Sequence, residues 1–336
     1  MKNHRPRVVM DRAIPFLAEA LAPYCEVVAL AGQAVSPVDV RDADALVVRT
    51  RTQCDERLLA GSSVRVVVTA TIGFDHIDRP WCEAHGIRVE TAAGCNARGV
   101  LQWVSAVLVG ASRRAGWRPE ERTLGIVGVG HVGSLVKHYA EQWGFRVLCC
   151  DPPREEREGL GFLTLEEVAR EADIITFHTP LDPTTRHLAD ARLLAAMKED
   201  ALVINSSRGA VVDNEALLAS GLSCALDVWE GEPMLNRELL ARAVVATPHV
   251  AGYTAQGKAN ASAIAARILS EEFALPLADW YPCEVTPPAP CEIDWRTLCQ
   301  TIDSHCDLRA ESQTLKQHPE AFESLRDGYR YREEYF

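Results

Sequence analysis

The chain has no long apolar run. No stretch reaches the roughly 18–20 residues that a membrane-spanning helix needs, and the longest, Val100 to Ala111, is broken by Gln102 and Ser105. It also lacks a basic balance: 35 Lys and Arg stand against 47 Asp and Glu, a net charge of -12. General nucleic-acid binding needs clustered cations to displace counterions, so this charge argues against it. An anionic small molecule stays allowed, because a basic pocket can sit on an acidic protein. The first apolar run, Val8 to Met10, is too short for a signal peptide and gives way to Asp11 and Arg12. A soluble, unexported, cytoplasmic protein is expected. The eleven cysteines are scattered, with no CxxC pair and no Cys/His group at zinc-finger spacing. That excludes the common metal motifs and points to reduced thiols, several of them buried as small hydrophobes, with no metal.

What is present is enough apolar material for a sizeable core: 47% hydrophobic residues in 336. Short β-branched runs alternate with helical patterns. Arg7–Met10, Val27–Leu30, Ala45–Val48 and Val64–Val68 read as strands, and Ile14–Leu21 as a helix. Continuous apolar strands between helices imply a parallel sheet covered on both faces. Ala97–Arg114 repeats Val100, Val104, Val107, Leu108 and Ala111 at helical spacing, with Asn96 as the expected N-cap. A second series follows, with strands at Thr123–Val127, Arg146–Cys150, Ile174–Phe177, Ala201–Asn205, Cys224–Asp227 and Val244–Ala246. Helices His131–Trp143 and Asp213–Ala219 lie between them, and an Ala-rich helix, Ala259–Phe273, comes after.

This rhythm predicts an α/β protein: a doubly wound parallel-sheet nucleotide-binding domain plus a smaller α/β domain. The expected division is 1–95 with 255–275 for the smaller domain and 96–254 for the larger. Residues 276–336 form a C-terminal segment, set off by Pro282, Pro287, Pro288 and Pro290 and too small for its own core.

Gly128, Gly130 and Gly133 form GxGxxG between an apolar strand and an amphipathic helix. That context makes a weak pattern strong. The first glycine permits the tight turn, the second lets the backbone approach a pyrophosphate, and the third lets helix and strand pack closely. Asp151 ends the next strand, where an acid binds ribose hydroxyls and repels a 2′-phosphate. NAD is therefore expected rather than NADP.

Three further motifs end strands of the same domain and carry Arg208, Glu232 and His249. Ligands in such sheets bind beyond the carboxyl ends of strands, so the three should converge. Their chemistry fits one reaction, the oxidation of a secondary alcohol. A neutral His249 takes the proton, Glu232 orients the imidazole, and Arg208 holds a substrate carboxylate and polarises the reacting oxygen.

On the segments Ala43–Thr50, Thr69–His76, Gly94–Ala97, Cys150–Pro153, Thr176–Pro180, Arg208–Asn214, Asp227–Pro233 and His249–Tyr253, the chain resembles the D-isomer-specific 2-hydroxyacid dehydrogenases. The resemblance implies that the smaller domain is a flavodoxin-like lid. It implies Arg208, Glu232 and His249 as catalytic residues, Asp151, Thr179, Asp227 and Gly252 as cofactor contacts, and Thr50, Thr71 and Tyr253 as substrate contacts. DVWEGEP, FHTP with CDPP, and HVAGY narrow it to a branch acting on a small phosphorylated 2-hydroxy acid, 4-phospho-D-erythronate, in vitamin B6 biosynthesis. A homodimer is implied, the C-terminal segment serving dimerisation. A phosphate needs cations. Arg49 is the first candidate, Arg51 a weaker one, and Arg332 is expected to reach a partner's active site if the tail crosses over. The two domains are expected to close over substrate, hinged near Asn96 and Gly252–Gly257. The alternatives are a phosphoglycerate or hydroxypyruvate dehydrogenase with the same catalytic group, and a NAD-sensing corepressor-type binding protein.

Overall fold

The structure is a computed structural model that describes residues 5–336. It divides into two compact units, Met1–Asn96 with Ala255–Pro288, and Ala97–Thr254 with Ala289–Phe336.

The first unit holds a five-stranded parallel sheet in the order β2-β1-β3-β4-β5, from β1 (Arg7–Asp11), β2 (Glu26–Leu30), β3 (Ala45–Val48), β4 (Val66–Thr69) and β5 (Arg88–Thr91). Its central strands β3 and β4 are buried at every position, as their unbroken apolar runs require. The edge strand β5 escaped the sequence reading because Arg88-Val-Glu-Thr91 has one aliphatic residue in four and stays partly exposed. The first helix begins at Leu17 instead of Ile14, because Phe16 adopts a left-handed φ of 64° and cannot continue a right-handed helix. Helix Ala255–Phe273 starts four residues earlier than its Ala-rich core suggested. It packs Ala265, Ala266 and Leu269 on the apolar face of β1, β3 and β4.

The second unit holds a six-stranded parallel sheet in the order β11-β10-β9-β8-β6-β7. The strands are β6 (Thr123–Val127), β7 (Arg146–Cys150), β8 (Ile174–Phe177), β9 (Leu202–Asn205), β10 (Ser223–Leu226) and β11 (Val245–Ala246). Helix Ala97–Ala115 packs on this sheet, and far more of it is buried than its apolar stripe predicts, including Gln102, Trp103, Ser105 and Ser112. The reason is the C-terminal segment. Helices Trp295–His305 and Leu308–Gln317 cover its outer side through the fully buried Leu298 and Ile302. Each such aliphatic side chain contributes about 1.5–3 kcal/mol by leaving water. Gln102, buried by this cover, donates to the carbonyl of Glu333 at 3.2 Å. Residues 289–336 therefore belong to the second unit and do not form a separate third body.

The expected cap by Asn96 does not form: its Oδ1 is buried without a hydrogen-bond partner. All eleven cysteines are free, and eight are buried. Among the described residues no helix is long and apolar enough to cross a membrane.

Candidate active site

In the second unit the chain order reverses between β6 and β8, the switch point at which open α/β sheets bind ligands. The glycine loop lies there. Gly128 has a φ of +86°, and a Cβ on it would meet the His178 carbonyl at 2.8 Å. A Cβ on Gly133 would stand 2.0 Å from the Gly128 carbonyl oxygen, so the turn and helix His131–Trp143 close up only without side chains. A Cβ on Gly130 would meet nothing within 4 Å. Two glycines thus serve internal packing, and the third leaves an open face at a helix N-terminus, where a pyrophosphate binds.

Asp151, at the end of β7, ties this loop down. Its carboxylate accepts from the Val129 amide at 2.7 Å and from the Arg154 amide at 3.0 Å. The Arg154 guanidinium is paired with Glu158 at 2.6 Å. Thr179 Oγ1 and Ser206 Oγ, just past β8 and β9, are buried without a hydrogen-bond partner. Polar groups of a bound dinucleotide would satisfy them, so the residues present fit the cofactor.

Two of the three strand-end motifs are joined by a side-chain contact, Glu232 to His249, and the backbone beside Arg208 closes on the Trp229–Glu230 peptide. Gly209 explains how Arg208 arrives: its Cα lies so close to the Trp229–Glu230 peptide that a Cβ would sit 2.1 Å from the Trp229 carbonyl. The Asn205 side chain fixes the turn by donating to the Arg208 carbonyl at 2.9 Å. Beyond β10, Glu232 Oε2 accepts from the Trp229 amide at 3.1 Å, and Oε1 meets His249 Nδ1 at 2.5 Å. Burial raises the Glu232 carboxyl. The His249 charge and hydrogen bond, the Trp229 amide and the Arg326 charge outweigh it and leave the group below its ordinary range. Glu232 is therefore ionised, and His249 donates to it through Nδ1–H. In the neutral imidazole that leaves Nε2 as the acceptor.

His249 has a φ of +59°, strained for a non-glycine residue. Asp227 holds it there. Its carboxylate is buried and accepts from Thr247 Oγ1 at 2.6 Å, the Val250 amide at 2.7 Å and the Ala251 amide at 3.0 Å. The residue expected as a cofactor contact thus braces the loop that carries His249, which no spacing in the sequence announces. Gly252 and Tyr253 follow in the same loop, and the Tyr253 hydroxyl accepts from Arg326 Nε at 3.3 Å.

Arg332 does not fit the expectation of reaching a partner. Its buried guanidinium donates to the carbonyls of Val250 (3.3 Å) and Ala251 (2.6 Å) and to the Tyr329 hydroxyl (2.8 Å) in its own chain. In the first unit, Arg49 and Thr50 follow β3, and Thr71 follows β4. The Thr71 hydroxyl lies 2.6 Å from that of Thr69 and donates to the Gly73 carbonyl at 3.0 Å. A brace the sequence did not disclose lies beside Glu232: His187 Nε2 meets Glu230 at 2.8 Å, with Asp213 at 3.6 Å and Arg186 also on Glu230.

Residues 96–251 match the family profile described as the D-isomer specific 2-hydroxyacid dehydrogenase, NAD binding domain. The chain is 42% identical over 342 residues to the erythronate-4-phosphate dehydrogenase of Bacteroides thetaiotaomicron, covering 98% of this chain and 97% of that one. It is 39% identical over 350 residues to the Escherichia coli O139:H28 protein of the same name, covering 98% and 92%. The chain belongs to the D-isomer-specific 2-hydroxyacid dehydrogenases. Among solved structures, the NAD-bound 3-phosphoglycerate dehydrogenase of Entamoeba histolytica is similar, with a TM-score of 0.71 at 25% identity over 83% of this chain and 98% of that one. As a member of this family the chain is a NAD-dependent oxidoreductase, and the fold class read from its sequence holds in both units.

Proposed function

We propose that this dehydrogenase oxidises 4-phospho-D-erythronate at C2 to (R)-3-hydroxy-2-oxo-4-phosphooxybutanoate, a step of vitamin B6 biosynthesis. The observation that carries the chemistry is the 2.5 Å bond between ionised Glu232 and His249 Nδ1. It leaves a basic Nε2 for the C2 hydroxyl proton, and Glu232 steadies the imidazolium that forms. Arg208 binds the C1 carboxylate and polarises the C2 oxygen. NAD, when bound, accepts the hydride from C2. Asp151, Thr179, Asp227 and Gly252 with the three glycines are its proposed contacts. Arg49, Thr50, Thr71 and Tyr253 are proposed substrate contacts on the strength of the family resemblance. The choice of substrate rests on relatives named erythronate-4-phosphate dehydrogenase that align along nearly the whole chain. A cytoplasmic homodimer is part of the same proposal.

The test is initial-rate turnover with NAD on 4-phospho-D-erythronate, D-3-phosphoglycerate and D-glycerate, read by NADH absorbance. The expected result is a kcat/KM on the four-carbon phosphate at least about 10-fold above the others. A larger value on phosphoglycerate would replace this substrate with the shorter one, and no turnover on any of them would favour a binding protein.

A further inference from the structure

A substrate that ends in a carboxylate and a phosphate needs a cation at each end. Arg208 serves one. Helix Phe322–Asp327 places a second guanidinium at the catalytic loop, that of Arg326. Its Nε donates to the hydroxyl of Tyr253, four positions after His249, at 3.3 Å. Its charge is near enough to Glu232 to stabilise that carboxylate and be stabilised in return. The side chain is only partly exposed, and that single hydrogen bond is the one it makes among the described residues. Among the described residues no carboxylate forms a direct salt bridge with this guanidinium. A guanidinium carries five N–H donors in a planar fork suited to oxyanions, and four of these remain after Nε is used. Arg332, six residues on, shows the contrast: its terminal nitrogens go to two main-chain carbonyls and a tyrosine of the same unit, and Glu311 stands 3.8 Å away as its counter-ion. A partly buried guanidinium with one hydrogen bond and no direct salt bridge, beside the loop that carries His249, has donors to offer an anionic ligand.

We infer that Arg326 binds the phosphate of the substrate from within the same chain, with the Tyr253 hydroxyl holding its fork in place, and so sets the preference for a phosphorylated 2-hydroxy acid. The inference rests on the proposed reaction but not on the identity of the carbon chain.

The experiment measures kcat/KM on 4-phospho-D-erythronate and on D-erythronate for the wild type, Arg326→Ala and Arg326→Lys. It is paired with calorimetric titration of inorganic phosphate into each NAD-saturated enzyme. Charge-assisted contacts to one phosphate lead to an expected fall of roughly 10- to 100-fold in the ratio of the two kcat/KM values for Arg326→Ala. Arg326→Lys should recover part of that ratio, because it keeps the charge and loses the fork. Phosphate affinity should fall with it. Equal losses on both substrates would overturn the inference, since a carboxylate contact or a structural role acts on both. If the wild type turns over neither substrate, the proposed reaction fails, and phosphate titration alone decides the role of Arg326: unchanged affinity in Arg326→Ala would overturn it.

Discussion

Two loops of the second unit leave the same sheet and solve opposite problems. The loop after β6 must let other atoms come close, and its left-handed position is a glycine, Gly128 at +86°. The loop after β11 must present a side chain, and its left-handed position is His249 at +59°. Glycine accepts that conformation freely, while histidine costs of order 1–3 kcal/mol there. The second loop therefore carries a brace that the first does not need: the buried Asp227 carboxylate, with hydrogen bonds to Thr247, Val250 and Ala251. Space is obtained by deleting a side chain, and a reactive group in a fixed pose by holding strain in place.

The contrast can be broken most strongly at the chemistry. His249→Ala and Glu232→Gln should each lower kcat by roughly 10²- to 10⁴-fold, the usual contribution of acid–base catalysis and of its orienting carboxylate. NAD affinity, measured by fluorescence titration of NADH, should stay within a few-fold. A parallel loss of affinity would mean the two loops are one functional piece.

A second effect lies between them, at His178, which backs the Gly128 turn. Burial of this half-buried imidazole pushes it down to about 3, so it is neutral in the folded protein. The unfolded chain takes up a proton below its ordinary value of 6.5. Stability from this group is therefore complete above pH 6.5 and lost as pH falls towards 3, at about 1.4 kcal/mol per pH unit. In His178→Gln, urea unfolding at pH 6.5 and 4.5 should show a correspondingly shallower acid dependence. An unchanged slope would show that the histidine is charged in the fold.

Gly128→Ala sharpens the space argument. The added methyl meets the His178 carbonyl and sits at positive φ, so stability or NAD affinity should fall by about 1–3 kcal/mol, with kcat at saturating NAD much less affected. The smallest effect has the opposite sign. His249→Gly should abolish most turnover yet unfold at higher urea than His249→Ala, by about 1 kcal/mol, because glycine relieves the left-handed strain. Equal midpoints would remove strain from the account of this loop.

Much of this was legible in sequence, for physical reasons. β6 and β8 were read to the residue because central parallel strands must be apolar on both faces, and the edge strand β7 because its run ends in the buried Leu148, Cys149 and Cys150. The meeting of Glu232 and His249 followed from their position at strand ends. What was not legible depends on contacts distant in the chain. Helix Trp295–His305 buries only Leu298 and Ile302, too few apolar positions to stand out in a polar segment. Nothing in Thr-Pro-His-Val says that the histidine is left-handed. Arg326 and Arg332 are equivalent as letters, and only the fold sends one into carbonyls and the other to Tyr253.

The grip of Arg332 and Glu334 on the residues that follow His249 also sets an order of events. The Ala251 carbonyl and the Arg332 guanidinium that grips it are 81 positions apart in the chain, and Thr254 likewise waits for Glu334, 80 positions later. At roughly 5–20 residues per second of synthesis, the ribosome works for about 4–16 s between making the loop and making what secures it. Throughout that interval the glycine loop and all the strands are already translated, and the strained histidine lacks its outer fastening. Nascent chains stalled or cleaved before Tyr329 would carry every residue proposed for catalysis and still be poor catalysts.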